Sequence, residues 1–303
     1  MILSIKGLTK KYGDKTALNS IDLDIEKGKI FGLIGQNGAG KTSLIRIINQ
    51  IINYDSGTID IDNKPLSEKS ILKIGYLPEE RGLYKNMTIL EQALYFGQLK
   101  NMTKKEVSTE LNYWLNKFDI QGWKNKKIQG LSKGMAQKVQ FIIAVLHKPT
   151  LLILDEPFSG FDPLNALTIS KEIKELANKG TTIVFSSHRM ESVEDMCDDM
   201  CLLHNGSILL KGNINQIQKE HQEESYRVSL ENCHLNSLEN FINANENYSV
   251  LNNINETTTI EVVNPNISSS KLLSNFQEFG EVVFFQKHIP SLQDIFIKTI
   301  ANA

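Results

Sequence analysis

Residues 35–42 read GQNGAGKT. Glycine at the first and sixth places, then Lys and Thr, is the spacing of a loop that wraps phosphate. Gly35, Gly38 and Gly40 let the chain curl so that backbone N–H groups point at phosphate oxygens, with Gln36, Asn37 and Ala39 adding theirs. Lys41 has the reach for the β- and γ-phosphates of a nucleotide, the Thr42 hydroxyl suits Mg²⁺, and Ser43 stands in the same turn. A second reactive pair ends the run LLILDEP at residues 151–157. Asp155 is suited to hold Mg²⁺ through water, and Glu156 to polarise a water for in-line attack on a γ-phosphate. Alone, Asp-Glu at a strand end is more often a helix-capping turn. Beside the phosphate loop, it makes ATP and Mg²⁺ the expected ligands and ATP hydrolysis the expected reaction.

Such groups need rigid elements behind them. KIFGLIG, an apolar run into glycine, predicts a buried strand before the phosphate loop, and KTSLIRIINQII a helix after it. Upstream, LSIKGLTKKY and LNSIDLDIEKG alternate apolar and polar residues as half-buried antiparallel strands do. GTIDID and ILKIGYLPEE predict two further strands. TILE at residues 88–91 and TKKE at 103–106 fit the capping-box pattern, starting helices that run to about Lys100 and Phe118. A third helix follows Ser132, so residues of about 84–147 form a helical insert. The α/β alternation resumes with TLLILDEP (strand), NALTISKEIKELANKG (helix), TTIVFSSH (strand) and MESVEDMCD (helix). DMCLLHNGSILLKG predicts a hairpin around Asn205-Gly206. Near Asn213 the composition turns to Asn, Ser and Glu, and the remaining segments read βαββαβ, the ferredoxin-like order, plus a last helix, SLQDIFIKTI.

The stretch LSKGM at residues 131–135 is odd for a helix start. Ser132 is a good N-cap, but Lys133 puts a cation where the helix dipole disfavours it, beside a helix-weakening glycine. It resembles the signature of ATP-binding cassette (ABC) proteins, usually Leu-Ser-Gly-Gly-Gln, and like that signature it lies just before the Asp-Glu strand. Further elements of that family follow in order. Tyr12 matches the aromatic residue that stacks on adenine, GYLPE the Q-loop region, SGFD at residues 159–162 the D-loop, and His188 the switch histidine. The resemblance covers residues 1 to about 212. It implies a P-loop NTPase cassette with a mixed-sheet core, an antiparallel β subdomain and the helical insert. The domain boundary is expected at 212/213, with residues 213–303 an α+β ferredoxin-like accessory domain.

The resemblance also implies that two copies, or this chain and a related cassette, pair head to tail. Ser132 and the Gly134 N–H would then face the γ-phosphate of a nucleotide held by the other chain, with Asp162 acting across the dimer. His188 would sense and position that phosphate. Met135 departs from the usual glutamine, and the Q-loop position falls on Glu79, a carboxylate able to ligate Mg²⁺, with Glu80 as the alternative placement. The added negative charge calls for a compensating cation such as Arg81. PEERGLY is similar to a subset of bacterial export-type cassettes that carry an extra C-terminal domain.

Composition sets the outer limits. The chain has 303 residues, 41% hydrophobic and 22% charged, with a net charge of −2, which gives no reason to expect nucleic acid as partner. No apolar run approaches the ~20 residues that span a bilayer. Three cysteines, Cys197, Cys201 and Cys233, make neither a disulfide framework nor a metal site. The expected protein is therefore the energy subunit of an ABC transporter, peripheral on the cytoplasmic side of the membrane and working through a separate multi-span permease. The aromatic and apolar residues between 79 and 99 would offer that permease a groove. Two alternatives stand beside this reading. A soluble ABC ATPase acting on ribosomes or DNA would carry two cassettes or a long coiled coil, and neither is present. A regulatory cassette with weak turnover is opposed by the intact Lys41, Asp155, Glu156 and His188 set.

Overall fold

The computed structural model describes residues 1–80, 82–160, 162–222, 224–233, 235–244, 247–254, 257–263 and 267–301. Alternation in the N-terminal residues produces β1 (Leu3–Tyr12) and β2 (Lys15–Ile25), antiparallel and joined by a two-residue turn with Gly13 at φ +56°. Leu3, Ile5, Leu8, Leu18, Ile21, Leu23 and Ile25 form its buried face. After β3 (Ile30–Ile34) and α1 (Lys41–Ile48), the strands β4 (Ser56–Ile61) and β5 (Lys64–Pro65) extend this sheet in the order β2-β1-β4-β5.

ILKIGYLPEE, expected to be strand throughout, is only partly so. Ser67 and Ser70 make a capping box that starts a short helix, α2 (Glu68–Ile71), and the strand β6 is confined to Ile74–Leu77. The insert then runs as α3 (Ile89–Leu99), α4 (Lys104–Lys117) and α5 (Lys133–Val145). Both expected capping boxes form. The Thr88 N–H donates to Glu91 Oε2 at 2.8 Å while Thr88 Oγ1 accepts from the Glu91 N–H at 3.2 Å, and Thr103 and Glu106 repeat the pattern. Trp114, Phe118 and Phe141 interlock at the centre of the insert, with ring centroids 5.7–6.1 Å apart. Gly97 lets α3 and α4 approach, since a Cβ there would lie 2.3 Å from Val107 Cγ2.

The chain returns to the core as β7 (Leu151–Asp155), α6 (Pro163–Asn178), β8 (Thr182–Ser187), α7 (Met190–Met196), β9 (Asp199–His204) and β10 (Ser207–Asn213). The central sheet has the order β10-β9-β3-β8-β7-β6, parallel except for β10. Every residue of β3, β7 and β8 is buried. That explains the apolar runs of β3 and β7 and the Ile183–Phe185 centre of β8, because a parallel strand with both faces covered has no solvent-facing side to display. The Asn205-Gly206 hairpin forms with both residues at positive φ, +46° and +78°. Lys117 of α4 ties the insert to the core through Glu172 at 2.5 Å and Glu175 at 2.6 Å, both on α6.

The chain divides into two compact units, Met1–Ile214 and the remainder from Asn215. The second contains most of α8 (Ile214–Glu220), then β11 (Ser225–Glu231), α9 (Leu235–Asn243), β12 (Tyr248–Ile254), β13 (Thr257–Val263), α10 (Ser269–Gln277), β14 (Glu281–Lys287) and α11 (Leu292–Ala301). Its antiparallel sheet has the order β12-β13-β11-β14, the ferredoxin-like arrangement expected from βαββαβ. Val228, Leu230, Leu238, Ile260, Val262, Leu272 and Phe276 form its core. The helix α8 was not expected, because its seven residues carry too little apolar periodicity to stand out. Among the described residues no helix is long and apolar enough to cross a membrane, and the three cysteines are free.

Candidate active site

Three neighbouring strands deliver the reactive residues. β3, β8 and β7 lie side by side, and the loops at their carboxyl ends carry the phosphate-loop residues, His188 and Glu156 respectively. In the first loop, Gly38 and Gly40 take positive φ, +84° and +112°. Gly40 is the N-cap of α1, and a Cβ there would fall 2.5 Å from the Ala17 carbonyl oxygen. The helix thus begins without a side-chain cap, leaving its first N–H groups for an anion. Lys41 is only 7% exposed, and its Nζ donates to the carbonyls of Gly35 (2.5 Å) and Gln36 (3.2 Å). The Ala39 N–H closes the loop onto the Gln36 carbonyl at 3.1 Å.

A cavity of about 220 Å³ has Tyr12 on one wall and Gln36, Asn37, Gly38 and residues 40–43 on the other. Tyr12 is 49% exposed at the end of β1, with its hydroxyl 3.5 Å from Ser43 Oγ. Gly35 and Ala39 back the loop, a Cβ on Gly35 coming 2.3 Å from the Leu203 carbonyl oxygen.

Asp155 is buried at the end of β7, and burial, reinforced by the charges of Glu79 and Glu156, raises its pKa. Burial lowers the pKa of Lys41, opposed by the negative charges of Glu156, Asp155 and Glu79. One ammonium therefore faces three carboxylates. A divalent cation held by hard oxygen donors fits that excess of negative charge, and Asp155, Glu79 and the exposed Thr42 hydroxyl are such donors.

Glu156 sits at φ +48°, a left-handed conformation that costs a side-chain-bearing residue energy. Several contacts hold it there. Its N–H donates to the Ser186 carbonyl at 3.0 Å. Its Oε1 accepts from the His188 N–H at 2.8 Å and meets His188 Nδ1 at 2.7 Å. Its Oε2 accepts from Ser187 Oγ at 3.3 Å, and that hydroxyl accepts in turn from the Arg189 N–H at 3.0 Å. The role of Ser187 was not expected, since it depends on two adjacent strands ending at the same level.

A second cavity, about 460 Å³, is lined by Glu79, Glu80, Lys133, Gln137, Glu156 and Ser159 among others. Ser132 caps α5 by accepting from the Met135 N–H at 3.3 Å, as its sequence suggested. Lys133 lies against Gly160, where an added Cβ would come 2.0 Å from Nζ. Gly134 is in the first turn, 3.4 Å from Asn165 Nδ2 when given a Cβ. Asp162 caps α6, with Oδ1 accepting from the Asn165 N–H at 3.0 Å, which lowers its pKa. Ser132, Gly134 and Asp162 line neither cavity. Arg81 and Phe161 lie outside the described residues.

Residues 18–159 match the family model for ABC transporters, and residues 212–300 that for the "ATP-binding protein DrrA1-3-like, C-terminal domain". An uncharacterized ABC transporter ATP-binding protein of Bacillus subtilis, YhaQ, is 40% identical over 99% of this chain and 98% of its own length. The linearmycin resistance ATP-binding protein LnrL of the same organism is 33% identical over 70% of this chain and 69% of its own. A solved structure described as the ATP binding subunit of an ABC transporter superposes with TM-score 0.68 at 30% identity, over 73% of this chain and 93% of that one.

Proposed function

The chain belongs to the ABC transporter ATP-binding family, and on that premise we propose how its residues divide the work and what they drive. Proteins of this family bind ATP, hydrolyse it to power transport, and pair with one another and with membrane permease subunits. Here Tyr12 stacks on adenine and residues 35–43 wrap the phosphates. Lys41 leaves the Gly35 and Gln36 carbonyls for the β- and γ-phosphates, a charged acceptor being the stronger partner for a partly desolvated ammonium. Thr42, Asp155 and Glu79 hold Mg²⁺, which when bound neutralises phosphate charge. Glu156 takes a proton from the attacking water, and His188 keeps its carboxylate aimed at the γ-phosphate.

Two chains close head to tail, each offering Ser132 and the Gly134 N–H to the other's nucleotide, with Asp162 at the seam. A separate membrane-spanning subunit docks on the exposed aromatic group of Tyr84 and Tyr95, whose rings meet edge to face 5.6 Å apart. That pairing sets the chain on the cytoplasmic side of the membrane. Linearmycin resistance, the role named for LnrL, and lantibiotic transport, that named for a Streptococcus pyogenes protein 32% identical over 69% of this chain, support export as the direction. Residues 1–212 are assigned to the cassette and 213–303 to an accessory domain.

The observation that carries this reading is the 2.7 Å contact of His188 with Glu156 beside the phosphate loop. The test is complementation between two inactive variants, Lys41→Ala and Ser132→Arg. Mixed, they leave one intact composite site per heterodimer and should recover part of the ATPase activity. Complete absence of recovery would count against sites shared between chains.

A further inference from the structure

The strand β6 ends at Leu77, its last partner being Leu154 of β7. Beyond it Pro78 has no N–H, so the backbone carrying Glu79 has left the sheet ladder. The α5 face beside this loop carries Lys133 in its first turn and then two amides one turn apart, Gln137 and Gln140. Gln140 is 7% exposed. Its Nε2 donates to the Pro78 carbonyl and to the Glu80 carbonyl, each at 3.2 Å. Both hydrogens of one buried amide thus grip the carbonyls of the two residues that flank Glu79. Gln137 makes the analogous bond to the other acidic segment, its Nε2 donating to the Ser159 carbonyl at 2.5 Å.

We propose that Gln140 is a positioning residue for hydrolysis. It fixes the backbone at Glu79 so that this carboxylate stands ready on the loop wall, and it couples the helix begun by Ser132 to that loop. The physical case is one of pre-payment. A three-residue segment outside a sheet has many conformations, and a buried two-pronged donor removes most of them before any ligand arrives. Apolar side chains would serve the packing of α5 equally well, so a buried amide here is explained by the two carbonyls it satisfies. The proposal rests on the reading of Glu79 as a metal-facing carboxylate.

The test uses the full chain and two substitutions. Gln140→Met keeps the volume and removes both donors. Gln140→Glu keeps the shape and opposes oxygen to oxygen. Hydrogen exchange at the Glu79 and Glu80 amides should speed up by about tenfold or more in Gln140→Met, while β7 amides keep their wild-type rates. The kcat for ATP should fall about tenfold at unchanged KM for ATP. The double variant with Glu79→Gln should fall no further than Glu79→Gln alone, because both act on one group. Unchanged exchange at the loop, or losses that multiply in the double variant, overturns the proposal. Exchange raised throughout β7 in both Gln140 variants also overturns it, since the residue would then be general core support. If Glu79→Gln alone leaves turnover intact while loop exchange still rises in Gln140→Met, the metal role of Glu79 fails and Gln140 is reduced to a loop anchor without a part in turnover.

Discussion

His188 and Glu156 are joined twice through a single carboxylate oxygen, by the His188 N–H at 2.8 Å and by Nδ1 at 2.7 Å. The two bonds differ in what a substitution can remove. His188→Ala deletes the imidazole but keeps the N–H donor, so the carboxylate loses one restraint and keeps another. We expect kcat to fall about 10²-fold with KM for ATP nearly unchanged. Glu156→Gln removes the base itself, with an expected loss of about 10³-fold or more. ATP should stay bound in that variant and hold the dimer closed, visible as an ATP-dependent shift in size-exclusion chromatography. Full ATPase activity in Glu156→Gln would remove Glu156 as the base.

Lys41 is buried against carbonyls of its own loop. Burial disfavours its charge, so an apolar replacement relieves that cost while leaving the Gly35 and Gln36 carbonyls without their donor. Lys41→Met should therefore melt within about 3 °C of wild type without ligand, a change of under ~1 kcal/mol. Added ATP should raise the melting temperature of wild type and leave the variant unmoved. Scanning calorimetry with and without ATP separates the two effects.

His147 and Lys100 converge on one acceptor, the Ile74 carbonyl, with His147 Nε2 at 3.0 Å and Lys100 Nζ at 2.8 Å. Burial, and then the neighbouring Lys100 charge, pushes His147 down to about 4. Burial likewise pushes Lys100 down to about 8. The sign for His147 follows from linkage. Below its ordinary pKa near 6.5 the unfolded chain takes up a proton that the folded chain refuses, so stability is complete above pH 6.5 and declines as pH falls toward 4. The loss attributable to His147 is on the order of 2 kcal/mol. Urea unfolding of wild type and His147→Gln at pH 7 and pH 4.5 should show the variant losing less. Parallel losses in both would exclude His147 as the source.

Lys117 joins the insert to α6 through Glu172, whose side chain is only 7% exposed. Lys117→Met leaves that carboxylate without its cation and should cost roughly 3 kcal/mol. Adding Glu172→Met should return most of it, because two apolar side chains can replace a buried ion pair. A double-mutant cycle by denaturant unfolding reads the difference. Additive losses would mean that the pair is not coupled.

Local spacing made part of this molecule readable in one dimension. The glycines of residues 35–40, the Asp-Glu pair after an apolar strand and the Thr-Glu capping boxes each lie within a few residues, so the physics that shapes them is written in consecutive letters. The ferredoxin-like sheet was readable from segment order for the same reason. Ser187, Gln140 and the packing of Lys133 on Gly160 were not, because each depends on which strands and loops become neighbours. The helices α2 and α8 escaped notice because four and seven residues hold too few turns for periodicity to register.

The adjacency of β3, β8 and β7 has an evolutionary corollary. Hydrogen-bonded strands sit about 4.8 Å apart whatever their sequence. The distances among the loop of residues 35–43, Glu156 and His188 are therefore measured out by the ladder itself, as marks on a ruler are. Loops at the other end of the sheet, and the α3–α4 part of the helical insert away from Ser132, Gly134 and Gln140, are free to drift to suit new partners without recalibrating the chemistry.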